Sequence, residues 1–431
     1  MSATTGSAVP GLTPAVQPSP QPQTTGQPTR PMAVLLAGGG TTGHVSPMLA
    51  LADCLRRRDP ATAVLVLGTA EGLEARLVPA RGYELAVVPR VPLPRKPSTA
   101  LLRLPGRLLS AVRAAERAIV KAGEVVGAPR ADVVVGVGGY VAVPAYLAAR
   151  KLGVPVVVHE ANHRAGIANR LGARLTEHVA TTFPGTDLRG RGGNGVLTGL
   201  PMRTEVTRLD RAARRAEARA AFELHPDAPT LLVTGGSLGA LRLNTAVVEG
   251  APQLLAPVSS GPNRGLAPQV LHLTGAGKAV QPSGLPEGAV YRVLEYTDRM
   301  DLAYAAADLV LCRAGAGTVC ETTAVGLPAV YVPLPIGNGE QRLNAAGAVA
   351  AGSAMIVDDA DVTADWVRGP LRDLLTDGDG AHRLAAMAAA AAASAAVSGA
   401  RDGDERLADL VERAAGRRPG ETTGDSTGEA R

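Results

Sequence analysis

Ala33-Val34-Leu35-Leu36-Ala37-Gly38-Gly39-Gly40-Thr41-Thr42-Gly43-His44 decides the fold. A short apolar run, Ala33–Leu36, ends in glycines. Apolar residues then recur at helical spacing through Val45, Met48, Leu49, Ala52 and Leu55. The succession is strand, tight loop, helix. Backbone N–H groups in such a loop point at an anion near a helix N-terminus. Gly38, Gly40 and Gly43 fit G-x-G-x-x-G, with Glu71 as a candidate ribose acid, so a nicotinamide-dependent oxidoreductase is one reading. Gly38 and Gly43 also have P-loop spacing, but His44 stands where a lysine is needed, which argues against a Walker ATPase. A strand–helix turn that merely needs glycines is the plain alternative. His44 adds a titratable ring beside the anion site.

The device recurs outward from there. Ala63–Leu67 and Asp132–Val137 read as strands, a helix runs from about Val141 to Lys151, and Val154–His159 is a further strand. The pattern restarts with a charged helix over 208–221 and strands at Thr230–Thr234, Val270–Thr274, Asp308–Cys312 and Ala329–Val332, with a helix around Thr318–Val325. Uniformly apolar strands between amphipathic helices indicate parallel sheets covered on both faces. The expectation is an α/β chain with two doubly wound, Rossmann-like domains facing a cleft, in which ligands bind beyond the strand ends. Its expected divisions are a disordered Pro-rich extension (1–30), an N-terminal domain (31–199) and a linker with a connecting helix (200–228). A C-terminal domain (229–395), a C-terminal helix packing back on the first domain (396–415) and a disordered tail (416–431) complete the chain.

Composition narrows the function. The chain has 431 residues, long enough for two or three domains, and 46% are hydrophobic. Aromatics are 2%, too few for a single-strand nucleic-acid stacking platform. Cys54, Cys312 and Cys320 lack zinc-ligand spacing and suit a reduced, cytosolic setting. Residues 31–200 carry 21 Lys and Arg against 11 Asp and Glu, whereas 201–431 carry 22 against 28. A basic first half can face phosphates, nucleic acid or an anionic membrane. The segment Arg95, Lys96, Leu101, Leu102, Arg103, Arg107 mixes Leu with Arg. It suits an anionic membrane surface, or else is an ordinary amphipathic helix with a solvated face. No recognised nucleic-acid reader motif accompanies it. The uncharged stretch between Asp132 and Arg150 is broken by glycines and a proline, so a membrane span is not expected.

Four further segments carry polar groups at strand ends. Gly138-Gly139-Tyr140 follows a strand. His159-Glu160-Ala161-Asn162, with Gly166 and Asn169, offers an acid/base pair and a sugar hydrogen-bonding amide; alternatively Glu160 caps the next helix and His159 is a satisfied core residue. Gly235-Gly236-Ser237-Leu238-Gly239-Ala240 suits a phosphate oxygen. Cys312-Arg313-Ala314-Gly315-Ala316-Gly317-Thr318-Val319-Cys320-Glu321 lets a ligand lie on the backbone, with Glu321 toward a ribose diol; Thr318 and Glu321 also have capping-box spacing. Glu340, Gln341 and Asn344 open a further helix.

The ordered set of Gly39–Val45 with Pro47, Gly138–Tyr140, His159–Asn162, Gly199-Leu200-Pro201-Met202-Arg203, Gly235–Ala240 and Cys312–Glu321 resembles the peptidoglycan N-acetylglucosaminyltransferases that convert lipid I into lipid II, from about Met32 to residue 415. The resemblance implies a glycosyltransferase-B fold and inverting transfer from UDP-N-acetylglucosamine to undecaprenyl-diphospho-muramoyl-pentapeptide. It implies no cofactor and no metal, with no D-x-D cluster expected to hold magnesium against a diphosphate. Arg203, Ser237, Ala316, Gly317, Thr318, Val319, Cys320, Glu321 and Gln341 match donor positions. Tyr296, Thr297 and Met300 match the uracil-binding strand end, and Asn162 the donor sugar. Thr41, Thr42, Gly43 and His44 would line the acceptor side and the diphosphate, with Gly138, Gly139, Tyr140 and Asn169 also on the acceptor side. His44 is the leading base candidate and Glu160 the second. Thr42 replaces a small residue usual in that loop, and Ala161 and Glu340 stand where Gln is common. Implied partners are the two substrates, the anionic cytoplasmic face of the cell membrane, and other cell-wall and division proteins, without nucleic acid.

Overall fold

A computed structural model of the chain describes residues 30–91, 100–236, 239–258, 265–335, 339–376, 378–397, 399–420 and 422. Nearly all of the expected Pro-rich lead and most of the expected tail lie outside the described residues, as do Arg95, Lys96 and Ser237.

The first unit contains β1 (Ala33–Ala37), α1 (Thr42–Arg58), β2 (Ala63–Gly68), α2 (Glu74–Ala80), β3 (Glu84–Val87) and α3 (Ala100–Glu124). It continues with β4 (Val133–Gly136), α4 (Ala142–Leu152), β5 (Val156–Glu160), α5 (Ile167–Ala173) and β6 (His178–Thr181). A small antiparallel pair, β7 (Arg189–Gly190) and β8 (Gly193–Asn194), precedes β9 (Val196–Leu197). The seven-stranded sheet runs β3-β2-β1-β4-β5-β6-β9, with every pairing parallel. Every residue of β1, β4 and β5 is buried, because helices cover both faces of the sheet.

The second unit follows with α6 (Thr204–Thr207), α7 (Arg211–Ala221), β10 (Thr230–Thr234), α8 (Leu241–Leu254), β11 (Gln269–Leu273) and β12 (Tyr291–Leu294). Next come α9 (Met300–Ala306), β13 (Leu309–Cys312), α10 (Ala316–Ala324), β14 (Ala329–Tyr331), α11 (Glu340–Ala350) and β15 (Ala354–Ile356). Then α12 (Ala364–Trp366), α13 (Arg372–Thr376), α14 (Gly378–Val397) and α15 (Gly403–Ala414) end the described chain. Its six strands run β12-β11-β10-β13-β14-β15, again all parallel.

Two segments depart from simple succession. Residues 200–228, expected as a linker with a connecting helix, belong largely to the second core. Val206, Leu209, Ala218 and Leu224 pack with Leu302–Ala306 of α9 and Ala307 beyond it. Arg219 of α7 is 1% exposed; its guanidinium donates to the Ala306, His225 and Pro226 carbonyls and pairs with Asp308 at 2.9 Å. The other is α15, which returns to the first unit. Leu407, Ala408, Leu410, Val411 and Ala414 bury against the β1–β4–β5 face beside α1. At its edge Arg57 pairs with Asp404 (2.9 Å), and Arg58 with Glu405 (2.7 Å), Asp409 (2.8 Å) and Glu412 (3.0 Å). These arginines also sit in the last turn of α1, where the helix dipole favours cations. Among the described residues no single helix is long and apolar enough to cross a membrane.

The second unit also buries a polar pair between β11 and α8. His272 of β11 bonds Asn244 of α8 (3.1 Å) through Nε2 and the Tyr291 hydroxyl (2.7 Å) through Nδ1. Burial lowers its pKa to about 4. A histidine whose folded pKa is depressed stabilises the fold above its unfolded value and loses that contribution as pH falls toward the folded value. Stability is therefore expected to fall between about pH 6.5 and pH 4, by up to about 3 kcal/mol from this residue. Urea unfolding across that range should show a shallower slope in His272→Gln than in the parent.

Candidate active site

In each sheet the strand order reverses beside the first strand, at β1/β4 and at β10/β13. Loops leaving neighbouring strands part in opposite directions there and open a crevice beyond the carboxyl ends. The glycine motifs fall at these two places.

In the first unit Gly38–Thr41 leaves β1 and Val137–Tyr140 leaves β4. The loops touch: a Cβ on Gly139 (φ 78°) would meet the Gly39 carbonyl at 2.8 Å, so only glycine fits. Behind them lies Glu74, fully buried and absent from the sequence reading. It accepts from the Gly40 N–H (3.1 Å), the Thr69 N–H (3.0 Å) and the Thr69 hydroxyl (2.8 Å). Burial opposes its charge, but these donors hold its carboxyl below the ordinary range. Gly39, Gly68 and Gly72 are cut away around it; a Cβ on each would lie 2.2–2.5 Å from its side chain. That spacing of glycines about Glu74 is the signal that sequence reasoning passed over.

His44 lies in the first turn of α1. Its Nδ1 is 3.2 Å from both the Gly39 carbonyl and the Thr41 hydroxyl. Nδ1–H donating to the carbonyl leaves Nε2 with its lone pair, facing Gly138. Burial lowers the His44 pKa, opposed by the Glu160 field, the Gly39 hydrogen bond and the Glu74 field. The ring is thus neutral near pH 7 and faces two carboxylates that favour its protonated form. Thr41, His44, Gly139 and Tyr140 line a cavity of about 460 Å³ with Glu71, Arg76 and Arg90.

The second pair of candidates proves more structural. Glu160 Oε1 accepts from the Asn162 N–H (2.9 Å), and Oε2 from Asn169 Nδ2 (2.9 Å) and the Gly166 N–H (2.9 Å), the residue before α5. Both oxygens are engaged, which is the capping alternative rather than a free base. Asn169, expected on the acceptor side, is 2% exposed; its amide also donates to the His159 carbonyl (3.0 Å) and accepts from Tyr146 (2.9 Å). It braces the loop from beneath. His159 is fully buried, with Nε2 3.0 Å from the Gly199 carbonyl.

In the second unit α10 starts at Ala316 behind Gly315, so Thr318 and Glu321 lie inside the helix and form no capping box. A Cβ on Gly315 or Gly317 would meet nothing within 4 Å: this helix start is open to a ligand. The Val319 N–H is already bonded to the Gly315 carbonyl (3.0 Å), and the Val319 and Cys320 side chains are buried, so neither side chain faces the opening. Glu321 Oε2 accepts from the Tyr304 hydroxyl (2.6 Å), another partner the sequence did not disclose. Burial raises its pKa, opposed by Tyr304 and the Arg203 field. Arg203 donates to the Asp298 carbonyl (3.2 Å), which brings it beside exposed Tyr296 and half-buried Thr297 at the end of β12. Met300 starts α9 and packs on the core. Gln341 Oε1 accepts from the Leu334 N–H (3.0 Å).

Asn344 ties the units together. It is 1% exposed on α11, accepts from the His163 N–H (2.9 Å), and donates to Asn162 Oδ1 (3.2 Å) and the Ala314 carbonyl (3.3 Å). Asn162 is thereby held at the opening of α10. A small apolar contact of Ala161, Leu200, Met202, Ala316, Cys320 and Ala324 lies at the same junction.

The membrane-facing candidates are only partly described: Leu101, Leu102 and Arg103 fall in the first turn of α3, and Arg107, further along, is exposed. The expectation of no D-x-D cluster needs correction. Asp359-Ala360-Asp361 and Asp402-Gly403-Asp404 both have that spacing, and Asp377-Gly378-Asp379 does too, partly outside the described residues. Asp359 is held by Arg313 (2.6 Å) and Arg242 (2.9 Å), and Asp404 by Arg57. Cys54, Asp404 and Glu405 lie close enough to share a metal, but both carboxylates are paired with arginine, and burial pushes the Cys54 thiol up.

Comparison with known proteins agrees with this geometry. The glycosyltransferase family 28 N-terminal domain matches residues 34–181, and its C-terminal domain matches 230–407. A UDP-N-acetylglucosamine--N-acetylmuramyl-(pentapeptide) pyrophosphoryl-undecaprenol N-acetylglucosamine transferase of Paenarthrobacter aurescens is 52% identical over 89% of this chain and 96% of its own. One of the same name from a Nocardioides species is 55% identical over 88% and 97%. The crystal structure of Acinetobacter baumannii MurG superposes with a TM-score of 0.63 at 28% identity, covering 89% of this chain and 100% of that one. The glycotransferase of kitacinnamycin shares the fold at 19% identity and a TM-score of 0.60. Two parallel α/β units with paired glycine crevices, matched at this level along nearly the whole fold, place the chain in glycosyltransferase family 28, with the glycosyltransferase-B fold, among the N-acetylglucosamine transferases that act on N-acetylmuramyl-(pentapeptide) pyrophosphoryl-undecaprenol.

Proposed function

We propose that this chain transfers N-acetylglucosamine from UDP-N-acetylglucosamine to undecaprenyl-diphospho-N-acetylmuramoyl-pentapeptide, forming lipid II with inversion at the anomeric carbon. The observation that carries the reading is the juxtaposition at Asn344: its amide donates both to the Ala314 carbonyl, just before the donor-type helix opening at Gly315–Gly317, and to Asn162, on the unit that holds His44.

The donor lies against the second unit. Open backbone N–H groups at the start of α10 and the positive end of the helix take the departing diphosphate. Glu321, fixed on one oxygen by Tyr304, offers the other to the ribose diol. Thr297 and Tyr296 frame the uracil at the end of β12. Asn162 meets the donor sugar. The acceptor occupies the first unit. His44 Nε2 removes the proton from the attacking hydroxyl, and Glu160 and Glu74 stabilise the imidazolium. Glu160, with both oxygens bonded, positions rather than reacts. The transfer needs no metal in this reading, because helix ends and arginines carry the phosphate charge. The enzyme associates peripherally with the anionic cytoplasmic face of the membrane through the Leu- and Arg-containing segment that leads into α3, where other cell-wall and division proteins assemble.

Turnover of lipid I in detergent with UDP-N-acetylglucosamine is the direct test, and inertness toward it would overturn the acceptor assignment. A base that must be neutral gives a rate that rises with pH through its pKa. The acid limb of kcat is therefore expected below about pH 6.5, because burial lowers His44. His44→Ala should abolish that limb and cut kcat about 100-fold or more while leaving UDP binding intact. Near-normal turnover would remove the base role. Glu321→Ala is expected to weaken UDP-N-acetylglucosamine binding by about 1–3 kcal/mol in calorimetry. Binding to anionic liposomes should weaken with added salt.

A further inference from the structure

We propose that Arg76 and Arg90 form a cationic clamp for the diphosphate of the lipid acceptor. The inference rests on the acceptor reading above and names residues that the sequence reading did not single out.

The wall behind the first glycine loop contains two buried carboxylates, Glu74 and Glu160, and both act on His44. One of the loop's backbone donors, the Gly40 N–H, is already taken by Glu74. The N-terminus of α1 offers only about half a positive charge. A diphosphate diester carries two negative charges, so loop and helix alone leave it facing a wall of its own sign. The cations that line this cavity are Arg76 on α2 and Arg90 beyond β3. Both are exposed, and among the described residues neither has an ion-pair partner. The Arg90 guanidinium lies 5.6 Å from the Tyr140 ring centroid, which holds it over the mouth of the β4 loop. The Arg76 charge also acts on Tyr296 of the second unit. Glu71, exposed on the rim, lines the same cavity. Two planar guanidiniums lining one cavity suit bidentate contacts to successive phosphates.

Two diphosphates enter this cleft, so the test must separate them. Full-length enzyme in detergent is compared with Arg76→Gln, Arg90→Gln and Arg90→Lys, with unchanged melting as the check on folding. KM for lipid acceptor and for UDP-N-acetylglucosamine are measured separately, and calorimetry follows binding of a short prenyl diphosphate. Each Gln variant is expected to raise acceptor KM about tenfold or more and to weaken prenyl diphosphate binding likewise, with donor KM within about twofold. Arg90→Lys should fall between. Acceptor KM and prenyl diphosphate binding unchanged in both Gln variants would overturn the clamp. A rise confined to donor KM would overturn it too, assigning the arginines to the nucleotide. If the parent binds prenyl diphosphate but does not turn over lipid I, and the Gln variants lose that binding, the clamp stands and the acceptor identity fails.

Discussion

A parallel sheet covered on both faces has only its strand ends left for chemistry. Both sheets here obey that constraint, and both place the reversal of strand order beside their first strand. The remaining architecture follows. Glycines collect at β1, β4, β10 and β13 because loops must pass close to one another and to ligand there. The two openings then need a fixed relation. Asn344 supplies it with three hydrogen bonds, two of which cross to the first unit. The apolar contact at the junction adds Ala161, Leu200, Met202, Ala316, Cys320 and Ala324 to that link.

Charge is the second constraint. Burying Glu74 behind an anion-facing loop looks self-defeating until its donors are counted. Its three bonds fix the loops after β1 and β2 against each other, and the cut-away glycines leave no other side chain that could do so. The same carboxylate, with Glu160, gives His44 a field that rewards protonation even as burial resists it. The opposing effects leave a neutral ring in the field of two carboxylates.

The sequence made the strand–glycine–helix units legible because apolar runs such as Val133–Gly136 and Thr230–Thr234 are uninterrupted and end in glycine. It disclosed the edge strands poorly. β3, Glu84–Val87, is half-exposed and carries a charge, so its pattern resembles a loop. Site residues named by local motif, such as His44, Glu321 and the opening of α10, come to the crevices. Those that act through long-range partners were not readable: Glu74 reaches back 34 residues to Gly40, and Asn344 reaches across 182 to Asn162. Asn169 and Glu160 illustrate the converse. Their motif is polar and sits at a strand end, yet the polar atoms are turned inward on each other.

The charge asymmetry of the chain also changes meaning once the fold is known. The basic excess of residues 31–200 includes Arg57 and Arg58, which are paired with α15 from the opposite end of the sequence. Asp404, Glu405, Asp409 and Glu412 thus belong electrostatically to the first unit, and part of the acidic character of the second half is a strap rather than a surface. Among the described residues, the first-unit cations without an ion pair include Arg76 and Arg90 at the cavity and exposed Arg107 on α3, together with exposed Arg113, Arg117, Arg130, Arg150, Arg174 and Arg191 over the rest of the surface. A chain-wide surplus would attract any polyanion. Arg76 and Arg90 add a local positive field at the cavity to that wider surplus, which suits an anion first drawn to the surface and then held at the loop.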